Sequence, residues 1–463
     1  MNTKQKYKFN KYFRFKFNFA FSIRYFKILG CFIFILNCKA EDEINLTQNE
    51  TVEIEFIKNL GGSLNDAAYS VVATPDGGFG VFGYTQSNDF DITGKTDTSF
   101  DYWLLKFDAI GNLLWQKTFG GSLQDKGSDI VNTLDGGFAV VGQSNSNDGD
   151  ANTSFGSNDF WVLKLDINGN LQWQKTLGYS GNDYGISILQ SSNGDFLISG
   201  VLDVTASGGL GNRPHHQQNR HAGGDYWLIK LDQNGNELWK NYYGGNNTDT
   251  PYGLVEANNG GYIVAGSSDS NDSDIQNNIG TYDFWVIKVS ETGNLDWERS
   301  FGGSQIDEAF SIIKHNNNYL ITGSARSNDA NVDINKGASD TWLIEISDTG
   351  QILRQSSFGD IGFDSSKAIV KTTDNNLLFA GNSRSDTNGF INNGQNDAWI
   401  FKSTANGEII WQQFAGGSAI DLLYDIVELN DGSYIAVGES SSNDNSFTNK
   451  GFSDMLIIKV KKL

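Results

Sequence analysis

Asp159–Gly178, DFWVLKLDINGNLQWQKTLG, is the stretch whose reading decides the fold. Trp161, Val162, Leu163 and Leu165 form an apolar run of high β preference. Asn168-Gly169 supplies residues that tolerate the positive φ of a short hairpin turn. Leu171, Trp173 and Leu177 then fall on alternate positions of a returning strand. One hairpin of this size is marginal in water, so it must be part of a larger sheet.

The stretch recurs. An aspartate followed by aromatic and aliphatic residues marks the same strand at Asp101, Asp159, Asp225, Asp283, Asp340, Asp397 and Asp454, with spacings of 58, 66, 58, 57, 57 and 57. A second aspartate opens another strand at Asp66, Asp125, Asp183, Asp249, Asp307, Asp364 and Asp421, always 24 residues after the preceding marker where one exists. From each opening Asp to a strand-ending glycine (Gly83, Gly142, Gly200, Gly266, Gly323, Gly381, Gly438) there are 17 residues, once 16. Length varies almost only between that glycine and the next marker, so seven copies of one unit each carry one variable loop. In the second copy the expected strands are A, Ser128–Thr133; B, Gly137–Gln143; C, Asp159–Asp166; and D, Leu171–Leu177.

Seven four-stranded antiparallel units point to an all-β, seven-bladed β-propeller. An open stack would leave two sheet edges uncovered, and the termini argue for closure instead. Glu53–Gly62 matches a D strand with its Gly-Gly turn, whereas the chain stops after a C strand at Asp454–Lys461. Phe56–Leu60 is therefore expected beside Leu456–Lys459, an N-terminal strand completing the last blade. The glycine-ended strand, long loop, aromatic strand and Trp strand resemble the kelch repeat. The Gly-Asn-x-x-Trp stretch is similar to the Trp-docking repeats of quinoprotein-type propellers. The eleven tryptophans occupy two equivalent positions, Trp103, Trp161, Trp227, Trp285, Trp342 and Trp399 on strand C and Trp115, Trp173, Trp239, Trp297 and Trp411 on strand D. Such regularity predicts packing between blades rather than a sugar platform.

The first 27 residues carry eight basic residues and no acid, so without them the net charge falls from −21 to −29. A surface this acidic repels phosphate backbones and excludes nucleic acid as the natural partner. Both cysteines, Cys31 and Cys38, lie near the N-terminus, leaving the body without disulfide or thiol chemistry. Ile28–Asn37 after the basic region has the layout of an export signal and is too short to span a membrane. Ile35-Leu36-Asn37-Cys38 resembles a lipoprotein signal, with Cys38 as the acylated residue. Lys39-Ala40-Glu41-Asp42-Glu43 resembles the signal that sends Bacteroidetes-type lipoproteins to the outer face of the outer membrane. The expected domains are residues 1–37, a lipoprotein export signal; 38–52, an acidic linker; and 53–463, the propeller.

Strand alternation places the B–C and D–A loops on one face, which makes that face the expected binding surface. Its B–C loops share Ser-Asn-Asp-x-Asp: Asn88 with Asp89 and Asp91, Asn147 with Asp148 and Asp150, and Asn271 with Asp272 and Asp274. Carboxylates at i and i+2 can present oxygens to calcium, with Asp97 a further candidate ligand; equally, such residues build Asx-turns in solvated loops. The third unit's loop is eight residues longer and holds His215, His216 and His221, which read as a flexible insertion more readily than as a transition-metal site. The opening and marker aspartates recur in every unit and are expected to make turn and strand-end hydrogen bonds. No nucleophile elbow, phosphate loop, zinc motif or dinucleotide fingerprint is present, so no catalytic residue is assigned. The sequence points to a monomeric, lipid-anchored, non-catalytic module for a glycan or surface protein, with calcium its one candidate cofactor. The alternative is a polysaccharide hydrolase or lyase, which requires two nonequivalent carboxylates within about 10 Å of one another between aromatic walls.

Overall fold

The computed structural model describes residues 50–204 and 223–463. Among these residues, twenty-eight strands form seven antiparallel sheets of four, each a blade in the order A-B-C-D. In the last blade the D position belongs to Val52–Leu60, which pairs with Asp454–Lys462. The register there is Phe56 opposite Lys459, Ile57 opposite Ile458 and Leu60 opposite Met455, as the terminal pieces predict. Closure gives all seven blades four strands and leaves only short edges, the propeller's answer to the edge liability.

The second blade runs Asp125–Asn132, Phe138–Ser144, Asp159–Leu165 and Leu171–Leu177. Strand A thus begins three residues before its expected start. It continues through a β-bulge: Gly127 faces Gly142 and Asp129 faces Val141, leaving Ser128 as the extra residue. The same shift occurs in all seven A strands, which makes Tyr69, Ser128, Ile186, Tyr252, Phe310, Lys367 and Tyr424 the extra residues. The bulge also explains the strand-ending glycines. A methyl carbon on Gly381 would overlap the Ser365 carbonyl oxygen and lie 2.7 Å from Ser366 Cα. The hairpin of Asp159–Gly178 differs from a two-residue turn as well. Gly169 N–H donates to Asp166 O, and only Gly169 of the Asn-Gly pair has positive φ (73°).

The tryptophans pack between blades. The six on strand C are essentially fully buried, and residues one position after the preceding blade's marker Asp lie against several of them, such as Tyr102 on Trp161 and Phe284 on Trp342. On strand D, Trp173 and Trp239 donate their indole N–H to Gln233 O and Glu291 O of the next blade. Truncating one such buried indole typically costs about 3–5 kcal/mol.

The fifth blade departs from the pattern three times over. Six blades place a buried lysine opposite the D-strand aromatic, for example Lys164 opposite Trp173, while the fifth pairs Glu345 with Arg354. Arg354 Nε donates to Glu345, and Asn318 Nδ2 donates to its other oxygen at 2.8 Å. The opposed lysines elsewhere find acids in or near the short turns, such as Asp76 at 3.0 Å from Lys106. The fifth A–B connection is the one shorter by a residue and contains no aspartate. The lysine and the tryptophan have been exchanged together for an internally neutral pair.

Candidate functional site

Seven A strands packed side by side leave a channel along the propeller axis, and its loop-face half opens into a cavity of about 640 Å³. The bulge shapes the lining. Because one residue per strand is extra, two successive side chains in a blade can reach the cavity, such as Tyr69 with Ser70 or Tyr424 with Asp425. These positions break the sevenfold regularity that the rest of each blade obeys. Tyr69 stacks on Tyr424 with ring centroids 4.8 Å apart and planes at 5°, and Tyr84 lies 5.8 Å from Tyr69. Tyr424 donates to Glu439 at 2.6 Å. The opposite wall carries Tyr252 against Phe310, 5.2 Å apart, and Lys367.

Between the tyrosines runs a polar chain across the ring's closing seam. Ser70 Oγ lies 2.9 Å from both an Asp129 oxygen and an Asp425 oxygen, so the two carboxyl groups approach within about 6 Å. A hydroxyl carries one hydrogen and can donate to only one of them. The two contacts therefore compete for that one hydrogen, and a proton on either carboxyl group would satisfy the other. Burial pushes both carboxyls above their usual range, Asp425 to about 7. Backbone N–H groups of Ile130 and Ile188 also donate to Asp129, and those of Val71 and Ile426 to Asp425. Ser187 Oγ completes the set on Asp129 at 3.0 Å.

The loop motifs are brought to one face, where they cap the D–A turns. Asp89, Asp148 and Asp272 accept the N–H of Ser63, Ser122 and Asn246 at 2.7–2.9 Å. Asp91, Asp150 and Asp274 accept the N–H of Gly61, Gly120 and Gly244 at 3.1–3.3 Å. Asp91 also pairs with Lys450 at 2.8 Å, and Asp97 with Lys95. Calcium in these loops would have to be taken through the carboxylate oxygens left over. Among the described residues, no three His, Cys, Asp or Glu side chains converge to hold a metal ion. Asn88 Nδ2 donates to Thr96 O, while Asn147 and Asn271 are exposed. Cys38, His215, His216 and His221 lie outside the described residues.

The opening and marker aspartates organise the same face. Asp125 accepts Gly121 N–H and Ser146 Oγ, both at 2.8 Å, and Asp159 accepts Phe155 N–H at 2.6 Å. The first residue of each D–A turn is squeezed between them: a methyl on Gly302 would lie 2.8 Å from Asp283 Cγ and 2.9 Å from Asp307 Oδ2. Only glycine fits such an approach. Sequence reasoning missed the cavity residues because it followed what repeats. Reading the third position after each opening Asp, Tyr69, Ser128, Ile186, Tyr252, Phe310, Lys367 and Tyr424, would have exposed a position that does not repeat.

No protein-family model matches the chain. A curated relative, the regulatory protein FlaEY of Caulobacter vibrioides, is 25% identical over 231 residues, 46% of this chain. The match spans 22% of that protein's length. Among solved structures, the WD40 β-propeller domain of Doa1 has a TM-score of 0.50 at 9% identity, over 89% of this chain and 97% of that one. BamB from Moraxella catarrhalis has a TM-score of 0.38 at 13% identity, over 89% of this chain and all of that one. Taken with the seven sheets and the strand that closes the last of them, the chain is a seven-bladed β-propeller.

Proposed function

We propose that this propeller is a non-catalytic binding module that takes a glycan in the loop-face mouth of its central channel. It is carried by a lipid on Cys38 at the outer membrane, facing the cell exterior. The observation that carries the reading is the stacked Tyr69–Tyr424 wall with Tyr84 beside it, in a cavity whose lining also holds the hydroxyls of Ser128, Ser187, Thr250 and Ser311. Aromatic faces receive the apolar faces of sugar rings, hydroxyls receive their edges, and about 640 Å³ suits a short oligosaccharide. A rigid ring also presents this surface without an ordering cost on binding.

The hydrolase alternative has one observation in its favour. Asp129 and Asp425 are nonequivalent, close together and walled by tyrosine. Their oxygens, however, are occupied by backbone amides and serines that join one blade to the next. Asp129, which accepts four such bonds, is poorly placed to take a proton from substrate, and Asp425 accepts three. A glycan array probed with the full chain, with product analysis of every bound glycan, tests the reading. Binding without turnover supports it, degraded glycan favours the enzyme, and capture of a surface protein with no glycan bound overturns it.

A further inference from the structure

We infer that the saccharide taken by this channel is acidic, its acid groups met by Lys126 and Lys367. The inference rests on the glycan reading above and adds the ligand's charge. Where this protein buries a lysine on strand C it supplies a carboxylate. Lys106, Lys164, Lys230, Lys288, Lys402 and Lys459 each have one within 3.0 Å. That is the ordinary requirement for a buried charge. Lys126 and Lys367, on strand A, are treated differently. Both line the cavity, and neither has a hydrogen-bond or ion-pair partner among the described residues.

Aromatic rings hold them instead. Lys126 Nζ lies 3.9 Å from the centroid of Phe100 and 5.0 Å from that of Tyr84, and Lys367 Nζ lies 3.1 Å from that of Phe310. A ring face steadies an ammonium through its quadrupole but accepts no conventional hydrogen bond, so each amine keeps donors for a ligand. Burial lowers both amines, Lys367 to about 8, which leaves the Lys367 amine mostly protonated at pH 7. Glu439, which accepts from Tyr424, acts on Lys126 through its field, and Glu308 acts on Lys367 in the same way, each outside ion-pair distance. Asp129 and Asp425 are engaged with Ser70 and backbone N–H groups, and burial raises both, which favours their uncharged forms. Both ammonium groups thus line the cavity with no carboxylate in ion-pair contact among the described residues, in a protein whose other buried lysines are paired. Tyrosine wall, hydroxyls and ammonium groups together fit a sugar bearing a carboxylate or a sulfate.

Calorimetry with the full chain and three size-matched probes tests this: trigalacturonate, a sulfated galactan trisaccharide and galactotriose. The expected result is that one or both acidic probes bind at least tenfold more tightly than galactotriose. In Lys126→Met/Lys367→Met, which keeps the aliphatic stems, that preference should vanish. The acidic probe that binds should also protect Lys126 and Lys367 from amine acetylation in the wild-type chain, a readout independent of any variant's folding. Preference for trigalacturonate over the sulfated probe identifies a carboxylate, and the reverse identifies a sulfate. Equal binding of galactotriose and the acidic probes overturns the inference and leaves the glycan reading standing. Binding of none of the three saccharides overturns both.

Discussion

Gly381→Ala places one methyl group where the bulge of the sixth blade leaves no room. The added carbon would overlap the carbonyl oxygen of Ser365 and lie 2.7 Å from Ser366 Cα and 2.8 Å from Ser365 C. All three are backbone atoms of the paired strand, so no side-chain rotation relieves the clash. Strand A must separate from strand B or lose its bulge. Overpacking usually costs about 1–3 kcal/mol, and a clash against backbone alone belongs at about 3 kcal/mol or above. Gly136→Ala is the control: nothing lies within 4 Å of its added carbon, and its φ of 84° leaves only conformational strain, about 1 kcal/mol. Urea denaturation followed by tryptophan fluorescence should separate the two variants by about 2 kcal/mol. Because the bulged residue is Lys367, Gly381→Ala should also change the acetylation rate of that amine, whereas Gly136→Ala should leave it unchanged. A Gly381→Ala protein within about 0.5 kcal/mol of wild type would refute the reasoning that the bulge selects the glycine.

Other outcomes follow from the same architecture. Asp101, Asp183, Asp283, Asp340 and Asp454 are pushed up to about 6 by burial and Asp425 to about 7, above an unfolded value of about 3.9. Folding then takes up protons between those values, so stability should fall as pH rises from about 4 to about 7, and the thermal midpoint should be higher at pH 5 than at pH 8. Below about pH 4 the sign reverses, because Asp135, lowered to about 2 by hydrogen bonds and its lysine, loses its charge. Arg354→Trp restores the repeat's aromatic but strands the buried Glu345, and should cost about 3 kcal/mol or more; Glu345→Gln in the same chain should recover part of it in a double-mutant cycle. Deleting Val52–Leu60 exposes the strand Asp454–Lys462 along its whole edge, and should produce aggregation on heating in place of cooperative unfolding, read by light scattering. Ser70→Ala removes the hydroxyl between Asp129 and Asp425 and should destabilise by about 1.5–3 kcal/mol at neutral pH in the same urea assay.

The sequence by itself determined the blade. Constant spacings from marker Asp to opening Asp and on to the strand-ending glycine can arise only if each copy repeats one local structure. A D-strand fragment at Glu53–Gly62 and a missing D strand after Asp454–Lys461 specified how the ring closes. The exchange at Glu345 and Arg354 was also legible in principle, since lysine and tryptophan leave their columns in the one unit whose A–B connection is a residue shorter.

Tertiary structure alone decided the site. The bulge occurs in every copy, so it leaves the spacings constant and no trace in the period. Its consequence is spatial: Tyr69 meets Tyr424, and Ser70 meets both Asp129 and Asp425, across as much as 355 residues of chain. The Asp-rich loops drew attention because their motif repeats, and repetition is the mark of a structural task, here the capping of D–A turns. Local interactions set by neighbouring residues can be read along the chain. A cavity on the axis collects one or two residues from each of several blades, and only closure of the ring brings them together.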